Sequence, residues 1–160
     1  MMKEFEMIFN NLNDIEKKSI NAYRSARQFK NIAEKQLVIL NDKIVQVIIA
    51  SITNKVFACE LFLKSIIIID TGKLIRGHYI QYLIEQSGIK EELKNRLHAY
   101  DFDNEIININ NSFEEWRYVY ERDESMINLG FLNCLCNELE ELNRQKILHK
   151  YDLNMLESFL

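Results

Sequence analysis

The chain has 160 residues, of which 48% are hydrophobic and 28% are charged, and its formal net charge is −4. This composition is typical of a globular domain, and it excludes an intrinsically disordered chain and a surface coated with basic residues for nucleic acid. The sequence contains no proline and only four glycines, which favours long helices over a turn-rich β architecture. We therefore expect one helical domain spanning residues 1–160.

The first two predicted helices differ in how apolar they are. Residues 14–38 show a helical pattern, with Asp14 as the expected N-cap and Ile15 as the first buried position. Residues 44–69 carry hydrophobic side chains on most of the helix circumference. A helix of that kind belongs in the middle of a bundle. We expect it to end at Asp70-Thr71-Gly72, with Gly72 as the C-terminal cap.

Shorter elements follow in the second half of the chain. The sequence predicts a compact helix over 78–87 that ends at Gly88, and another short helix over 89–100. Residues 101–111 are rich in Asn and Asp and predict a connector or, alternatively, the beginning of the next helix, which FEEWRYVYERDES (113–125) predicts. The buried side of a last helix, from Met126 to Lys150, is expected to include Leu129, Leu132, Leu135, Leu139 and Leu142. The predicted fold class is an all-α bundle of about five main helices with short connecting helices.

Charges of opposite sign are concentrated at opposite ends of the sequence. Basic residues dominate between Lys17 and Lys35, and acidic residues dominate between Glu114 and Glu141. This distribution suits self-association or a charged partner, and the alternative is two solvated helix faces.

Several features bear on location and cofactors. The N-terminus has no apolar signal region, and the most apolar stretch, residues 56–69, is interrupted by Glu60 and Lys64, so we expect no membrane association. Three cysteines without framework spacing indicate a reduced, cytoplasmic protein in which they are small core residues. No residue grouping has metal-ligand spacing, and Thr71-Gly72-Lys73 is not a P-loop, so we expect neither a metal nor a cofactor.

Three stretches occur in a characteristic order: NKVFACELFLKSI (54–66), GHYIQYL (77–83) and FEEWRYVYE (113–121). Together they resemble the HEPN superfamily, particularly its members near abortive-infection and other prokaryotic defence genes. The resemblance implies a HEPN-like bundle of four or five helices that usually dimerises. In the catalytic branches it implies a metal-independent endoribonuclease whose active site combines an arginine and a histidine, four to six residues apart, from each subunit.

Arg144 and His149 in LNRQKILHKY (142–151) have the spacing that the resemblance implies for the catalytic pair. A histidine titrates near neutral pH and can take the proton of an RNA 2′-hydroxyl, and an arginine can stabilise charge on the phosphoryl oxygens. A five-residue step separates two side chains on a helix by about 140°, so we expect a dimer interface to combine them. The pair departs from the family in that Gln145 follows the arginine, and in its late position in the chain.

Two other groups of residues are candidates for ligand binding. Arg76 and His78 lie at the start of a predicted helix, where backbone N–H groups can hold a phosphate, and the alternative is that His78 is a structural cap. Glu60 and Lys64 have the spacing of a helical ion pair. Because a buried charge needs partners, we expect Glu60 to contact Arg117.

Two functional hypotheses follow. In the first, the chain is a homodimeric RNA-cutting protein of a defence or toxin–antitoxin system, with Arg144 and His149 as catalytic residues and with RNA guided by Arg24 and Arg27. In the second, it is a noncatalytic HEPN-like domain that binds a nucleotide, RNA, a cognate antitoxin or a defence-system protein. The binding residues would then be Arg117, Glu121, Glu60, Lys64, Arg76 and His78.

Overall fold

A computed structural model describes residues 9–35, 37–40, 43–46, 48–115 and 127–151. These residues form an all-α bundle that carries one short β-hairpin, so the predicted fold class is confirmed. In chain order the elements are α1 (Asp14–Lys35), β1 (Leu37–Leu40), β2 (Lys43–Gln46), α2 (Ile48–Thr71), α3 (Ile80–Ser87), α4 (Lys90–Arg96), α5 (Phe102–Glu115) and α6 (Leu129–Tyr151).

Helix α2 is the centre of the bundle. It packs against α1, α3, α5 and α6, and Val56, Cys59, Phe62, Leu63 and Ile66 along its length are fully or almost fully buried. A helix that is apolar on most of its circumference can be stable in water only when neighbours cover it. The predicted central position is therefore confirmed.

The start of the central helix was predicted too early. Residues 44–46 belong to β2, which pairs antiparallel with β1 so that Leu37 lies opposite Gln46 and Leu40 lies opposite Lys43. β-Branched residues such as those of LVIL and KIVQ pack well in strands, and a short apolar run does not distinguish a strand from a helix by its periodicity.

The N-terminus of α1 is capped by Asn13, not by Asp14. The Asn13 Oδ1 atom accepts hydrogen bonds from the backbone N–H groups of Ile15 and Glu16, both at 3.0 Å. The Glu16 carboxylate in turn accepts the Asn13 N–H at 2.9 Å, which completes a capping box. Ile15 is 37% exposed, so the prediction that it begins the buried face was wrong.

The predicted cap at Gly72 is confirmed. Gly72 has a φ of +67°, which favours glycine, and its N–H donates to the Ile68 carbonyl at 2.9 Å. The Thr71 hydroxyl donates to the Ile67 carbonyl, and the Lys150 ammonium on α6 donates to the Ile69 carbonyl. The last carbonyl groups of α2 are thus satisfied partly by α6.

The remaining predictions vary in accuracy. Helices α3, α4 and α6 lie where helices were predicted, although Leu129 is 43% exposed rather than buried. Of the two alternatives for residues 101–111, the connector was wrong and the beginning of a helix is confirmed, because these residues lie mostly in α5, where Phe102, Ile106 and Ile109 are buried. Most of the helix predicted over 113–125 lies outside the described residues.

A buried polar network connects α1, α2 and α6. The Ser65 hydroxyl on α2 lies 2.7 Å from the Ser19 carbonyl on α1 and 3.0 Å from Asn143 Oδ1 on α6. The Asn143 amide donates to the Phe62 carbonyl at 2.7 Å. Ser19, Ser65 and Asn143 are all fully buried. Because an unpaired polar group in such a place is unfavourable, the network fixes how these three helices lie against one another.

We expect Asn143→Ala to lower the free energy of unfolding by about 1–3 kcal/mol, because it removes a partner of the Ser65 hydroxyl and of the Phe62 carbonyl in the core. Urea denaturation would measure this change. Asn137 lies on the same helix and is exposed, so Asn137→Ala is the matched control and should change stability by no more than about 0.5 kcal/mol. Equal effects of the two substitutions would contradict a structural role for the network.

Candidate functional site

Three of the residues predicted for ligand binding meet at one place, which we call the Glu60 cluster: Glu60, Lys64 and His78. Lys64 Nζ lies 2.7 Å from Glu60 Oε1, one helical turn away on α2. His78 Nδ1, from the segment before α3, lies 2.9 Å from the same oxygen. The predicted ion pair between Glu60 and Lys64 is therefore confirmed, and the histidine is a third member that the sequence did not reveal.

The Glu60 carboxylate is buried beneath the surface. Its side chain is 2% exposed, whereas the His78 side chain is 67% exposed. The second carboxylate oxygen, Oε2, has no hydrogen-bond partner in the part of the chain that the structure describes. A carboxylate in such an environment requires the donors it has, so Lys64 and His78 are held firmly against Oε1.

Arg117 and Glu121 lie outside the described residues, so the expected contact between Glu60 and Arg117 stays a prediction. The prediction that His78 caps a helix was wrong, because the N-cap of α3 is Tyr79 and no side chain caps this helix end. His78 instead turns its Nδ1 atom to Glu60, eighteen residues earlier in the chain. Local sequence patterns carry no signal for such a contact, beyond the need of a buried carboxylate for a partner.

The segment that presents His78 is fixed on both sides. Gly77 has a φ of +115°, a conformation that residues with a side chain rarely adopt, and the Tyr82 ring lies within 3.4 Å of the position of a Cβ atom there. Helix α3 follows, with Ile80 and Leu83 buried. The Gln81 N–H donates to Asn110 Oδ1 on α5 at 3.1 Å. His78 therefore lies directly before a helix that is packed against the rest of the bundle.

Exposed basic and aromatic residues lie close to His78 in the chain. Leu74, Tyr79 and Tyr82 are 55%, 54% and 42% exposed, and Lys73 and Arg76 are exposed as well. We call the residues Lys73, Leu74, Arg76, His78, Tyr79 and Tyr82 the His78 surface. Aromatic rings that can stack on bases, combined with cations that can contact phosphates, are typical of surfaces that bind single-stranded RNA.

Arg144 lies in an ion pair on α6. Its Nε and one terminal nitrogen contact the two carboxylate oxygens of Glu141 at 2.9 and 2.8 Å. The guanidinium holds the pKa of the Glu141 carboxyl below its usual range, and the carboxylate raises the pKa of Arg144. Such two-point pairing orients the guanidinium toward its own helix.

His149 lies in a different place from Arg144. It is exposed and lines an open groove of about 630 Å³ between the end of α2, α4 and α6, together with Asp70, Glu92 and Lys146. Arg144 does not line this groove. Arg144 and His149 are therefore not lining residues of this same groove, and the catalytic pair formed across a dimer stays a prediction.

The two arginines proposed to guide RNA lie on α1. Arg24 is exposed. Arg27 Nε contacts Glu140 Oε1 on α6 at 2.9 Å, and Lys30 contacts the other oxygen of the same carboxylate. Part of the opposite charge seen at the two ends of the sequence is thus paired inside the chain rather than presented to a partner.

Comparison of the chain with protein-family models, with curated proteins and with solved structures found no match. Within the described residues, no group of three or more His, Cys, Asp and Glu side chains is placed to hold a metal ion. In the same part of the chain, no helix combines the length and the hydrophobicity that crossing a bilayer requires.

The ion pair of Arg144 predicts a pH dependence of stability. Because the pKa of Glu141 is lowered in the folded protein, its carboxylate stabilises the fold above the usual value of 4.5, and this contribution is lost as the pH falls through the lowered pKa. Both side chains are partly exposed, so Arg144→Ala should lower the free energy of unfolding at pH 7 by less than about 1 kcal/mol. Urea denaturation at neutral and acid pH would measure the difference, which should vanish in acid. A difference that persists there would contradict an electrostatic role.

Proposed function

We propose that the chain is a HEPN-type domain that binds RNA at the His78 surface and cleaves it without a metal ion, with His78 as the proton acceptor. The observation that carries this proposal is the 2.9 Å contact between His78 Nδ1 and the buried Glu60 carboxylate, beneath a ring that is 67% exposed. A carboxylate–histidine pair of this kind fixes the orientation and the tautomer of the imidazole.

The hydrogen bond between His78 and Glu60 determines which ring nitrogen can accept a proton. When Nδ1–H donates to the carboxylate, Nε2 is the nitrogen that accepts a proton. Nε2 takes the proton of a 2′-hydroxyl, the 2′-oxygen bonds to the adjacent phosphorus, and the bond from phosphorus to the 5′-oxygen breaks. The leaving oxygen takes a proton from water, and His78 returns its proton to the hydroxide so formed. The products are a 2′,3′-cyclic phosphate and a 5′-hydroxyl.

Residues of the His78 surface can bind RNA by stacking on its bases and by contacting its phosphates. Tyr79 and Tyr82 offer exposed rings for stacking on unpaired bases, and Arg76 offers a planar cation for a phosphate. Glu60 and Lys64 lie below this surface and act as positioning residues. Of the ligand-binding residues predicted from sequence, four thus have a role in this proposal: Arg76, His78, Glu60 and Lys64.

The biological setting that we propose rests on the HEPN resemblance. It is a prokaryotic defence or toxin–antitoxin system, with a homodimer and a cognate antitoxin or defence-system protein as partners. The three cysteines lack the spacing of a disulfide framework, which favours a cytoplasmic location.

The proposal predicts RNA cleavage in the presence of EDTA. His78→Ala should slow cleavage of a mixed pool of single-stranded RNA by about 10²–10⁴-fold, because the proton acceptor is lost. His98 is a matched control, because it is exposed and its Nδ1 contacts the Asn95 carbonyl at 3.0 Å instead of a carboxylate. His98→Ala should cleave as fast as the wild type. RNA that is bound but left intact would favour the noncatalytic hypothesis, and RNA that is neither bound nor cut would contradict both.

A second candidate is cleavage by Arg144 and His149 across a homodimer. It is favoured by the position of His149 in an open groove beside Lys146 and Lys150, two cations of the kind that contact phosphates. If it is correct, Arg144→Ala and His149→Ala should both abolish cleavage, His78→Ala should not, and light scattering should show a dimer. Under our main proposal both variants retain most of the wild-type rate.

A further inference from the structure

A small pocket with a volume of about 270 Å³ lies between α1, α2 and α6. We call it the Lys55 pocket, and most of its lining side chains are polar or charged: Lys30, Glu34, Lys55, Asn133, Cys136 and Asn137. None of these residues belongs to the Glu60 cluster or to the His78 surface. Polar groups that converge on one concave place from several elements are typical of a small-molecule site.

Two ammonium groups line the Lys55 pocket, and each is held in place by a side chain of another helix. Lys30 Nζ on α1 lies 2.5 Å from Glu140 Oε2 on α6, and the Lys30 side chain is only 14% exposed. Lys55 Nζ on α2 lies 2.5 Å from Asn133 Oδ1 on α6. An ammonium group has three N–H donors, so each lysine can donate to a ligand and keep its present partner.

The positive charge of the two lysines is only partly neutralised. The Glu140 carboxylate is shared by Lys30 and Arg27, so one negative charge pairs with two positive charges. Asn133 is neutral, and within the described residues no carboxylate forms an ion pair with Lys55. An anion bound between Lys30 and Lys55 would therefore be attracted by both ammonium groups.

Helix α6 adds amide donors to the same pocket. Asn133 and Asn137 are four residues apart, so their side chains lie on one face of the helix. Because Asn133 Oδ1 accepts a hydrogen bond from Lys55, the Nδ2 group of Asn133 can donate to a ligand. The acid among the described lining residues is Glu34 on α1, which is exposed.

We propose that the Lys55 pocket binds a small phosphate monoester that carries hydroxyl groups, as a sugar phosphate does. A phosphate monoester has a charge of about −1.5 to −2 at pH 7 and three strong acceptor oxygens. The two ammonium groups and the two amides supply the matching cations and donors. Glu34 can accept a hydrogen bond from a hydroxyl group of the same ligand. The volume lies just below the range of about 300–1,000 Å³ that is typical of drug-sized ligands, which suits a ligand of this size.

Isothermal titration calorimetry with ribose 5-phosphate, at constant ionic strength, tests the proposal. Inorganic phosphate is the second probe, and ribose without a phosphate is the negative control. The wild-type protein should bind one ribose 5-phosphate per chain saturably, bind inorganic phosphate more weakly and not bind ribose. Only the folded protein brings the three helices together, so ribose 5-phosphate should also raise the midpoint of thermal unfolding as its concentration rises.

Variants locate the binding site. Lys55→Gln removes one of the two cations and should weaken the binding of both phosphates about tenfold or more. Lys18 is the matched control, because it is an exposed lysine on α1 that does not line the pocket; Lys18→Gln should bind as the wild type does. Glu34→Ala should weaken the binding of ribose 5-phosphate but not that of inorganic phosphate, because only the sugar has hydroxyl groups to donate.

Three results would overturn the proposal: no saturable binding of ribose 5-phosphate, equal binding of ribose, and equal losses of affinity in Lys55→Gln and Lys18→Gln. The first two are measured on the wild-type protein, so they decide the matter even if a variant fails to fold, which circular dichroism would detect. None of the substitutions changes the His78 surface. RNA cleavage by the folded variants should therefore match the wild-type rate, and failure of this site is distinguishable from failure of the proposed function.

Discussion

Because neighbouring helices cover α2 on most of its circumference, its polar groups have to find partners inside the protein. Ser65 meets this requirement through α1 and α6, and the last carbonyl groups of α2 meet it through Gly72 and the Lys150 ammonium. Glu60 meets it through Lys64 and His78. The need of the polar groups on α2 for partners therefore also determines where His78 lies on the surface of the bundle.

The three histidines of the chain differ in the groups that their side chains contact. His98 and His149 are both exposed; the first contacts a backbone carbonyl, and the second lines an open groove. Only His78 contacts a buried carboxylate in the described part of the chain. A carboxylate that is held by a second ion pair and cannot move into solvent orients an imidazole more firmly than an exposed one does. That difference is why we assign the chemistry to His78.

Residue periodicity was enough to predict the central helix, the last helix and the cap at Gly72, because each depends on neighbours within a few residues. The pair of Glu60 and Lys64 follows from the same local spacing. The β-hairpin was missed because a short apolar run suits a strand or a helix. Helix α5 was predicted only as an alternative to a connector, because Asn and Asp residues on its exposed side concealed its buried residues. The contact of Glu60 with His78 depends on how α2 and α3 pack, which no local pattern encodes.

The most direct test of this account is a nuclear magnetic resonance spectrum of the histidine rings in ¹⁵N-labelled protein, which reports which ring nitrogen carries the proton. The account predicts that His78 carries its proton on Nδ1 and that Glu60→Gln changes the His78 signals, while those of His98 and His149 stay the same. A His78 ring protonated on Nε2, or one that does not respond to Glu60→Gln, would contradict the claim that the buried carboxylate orients it.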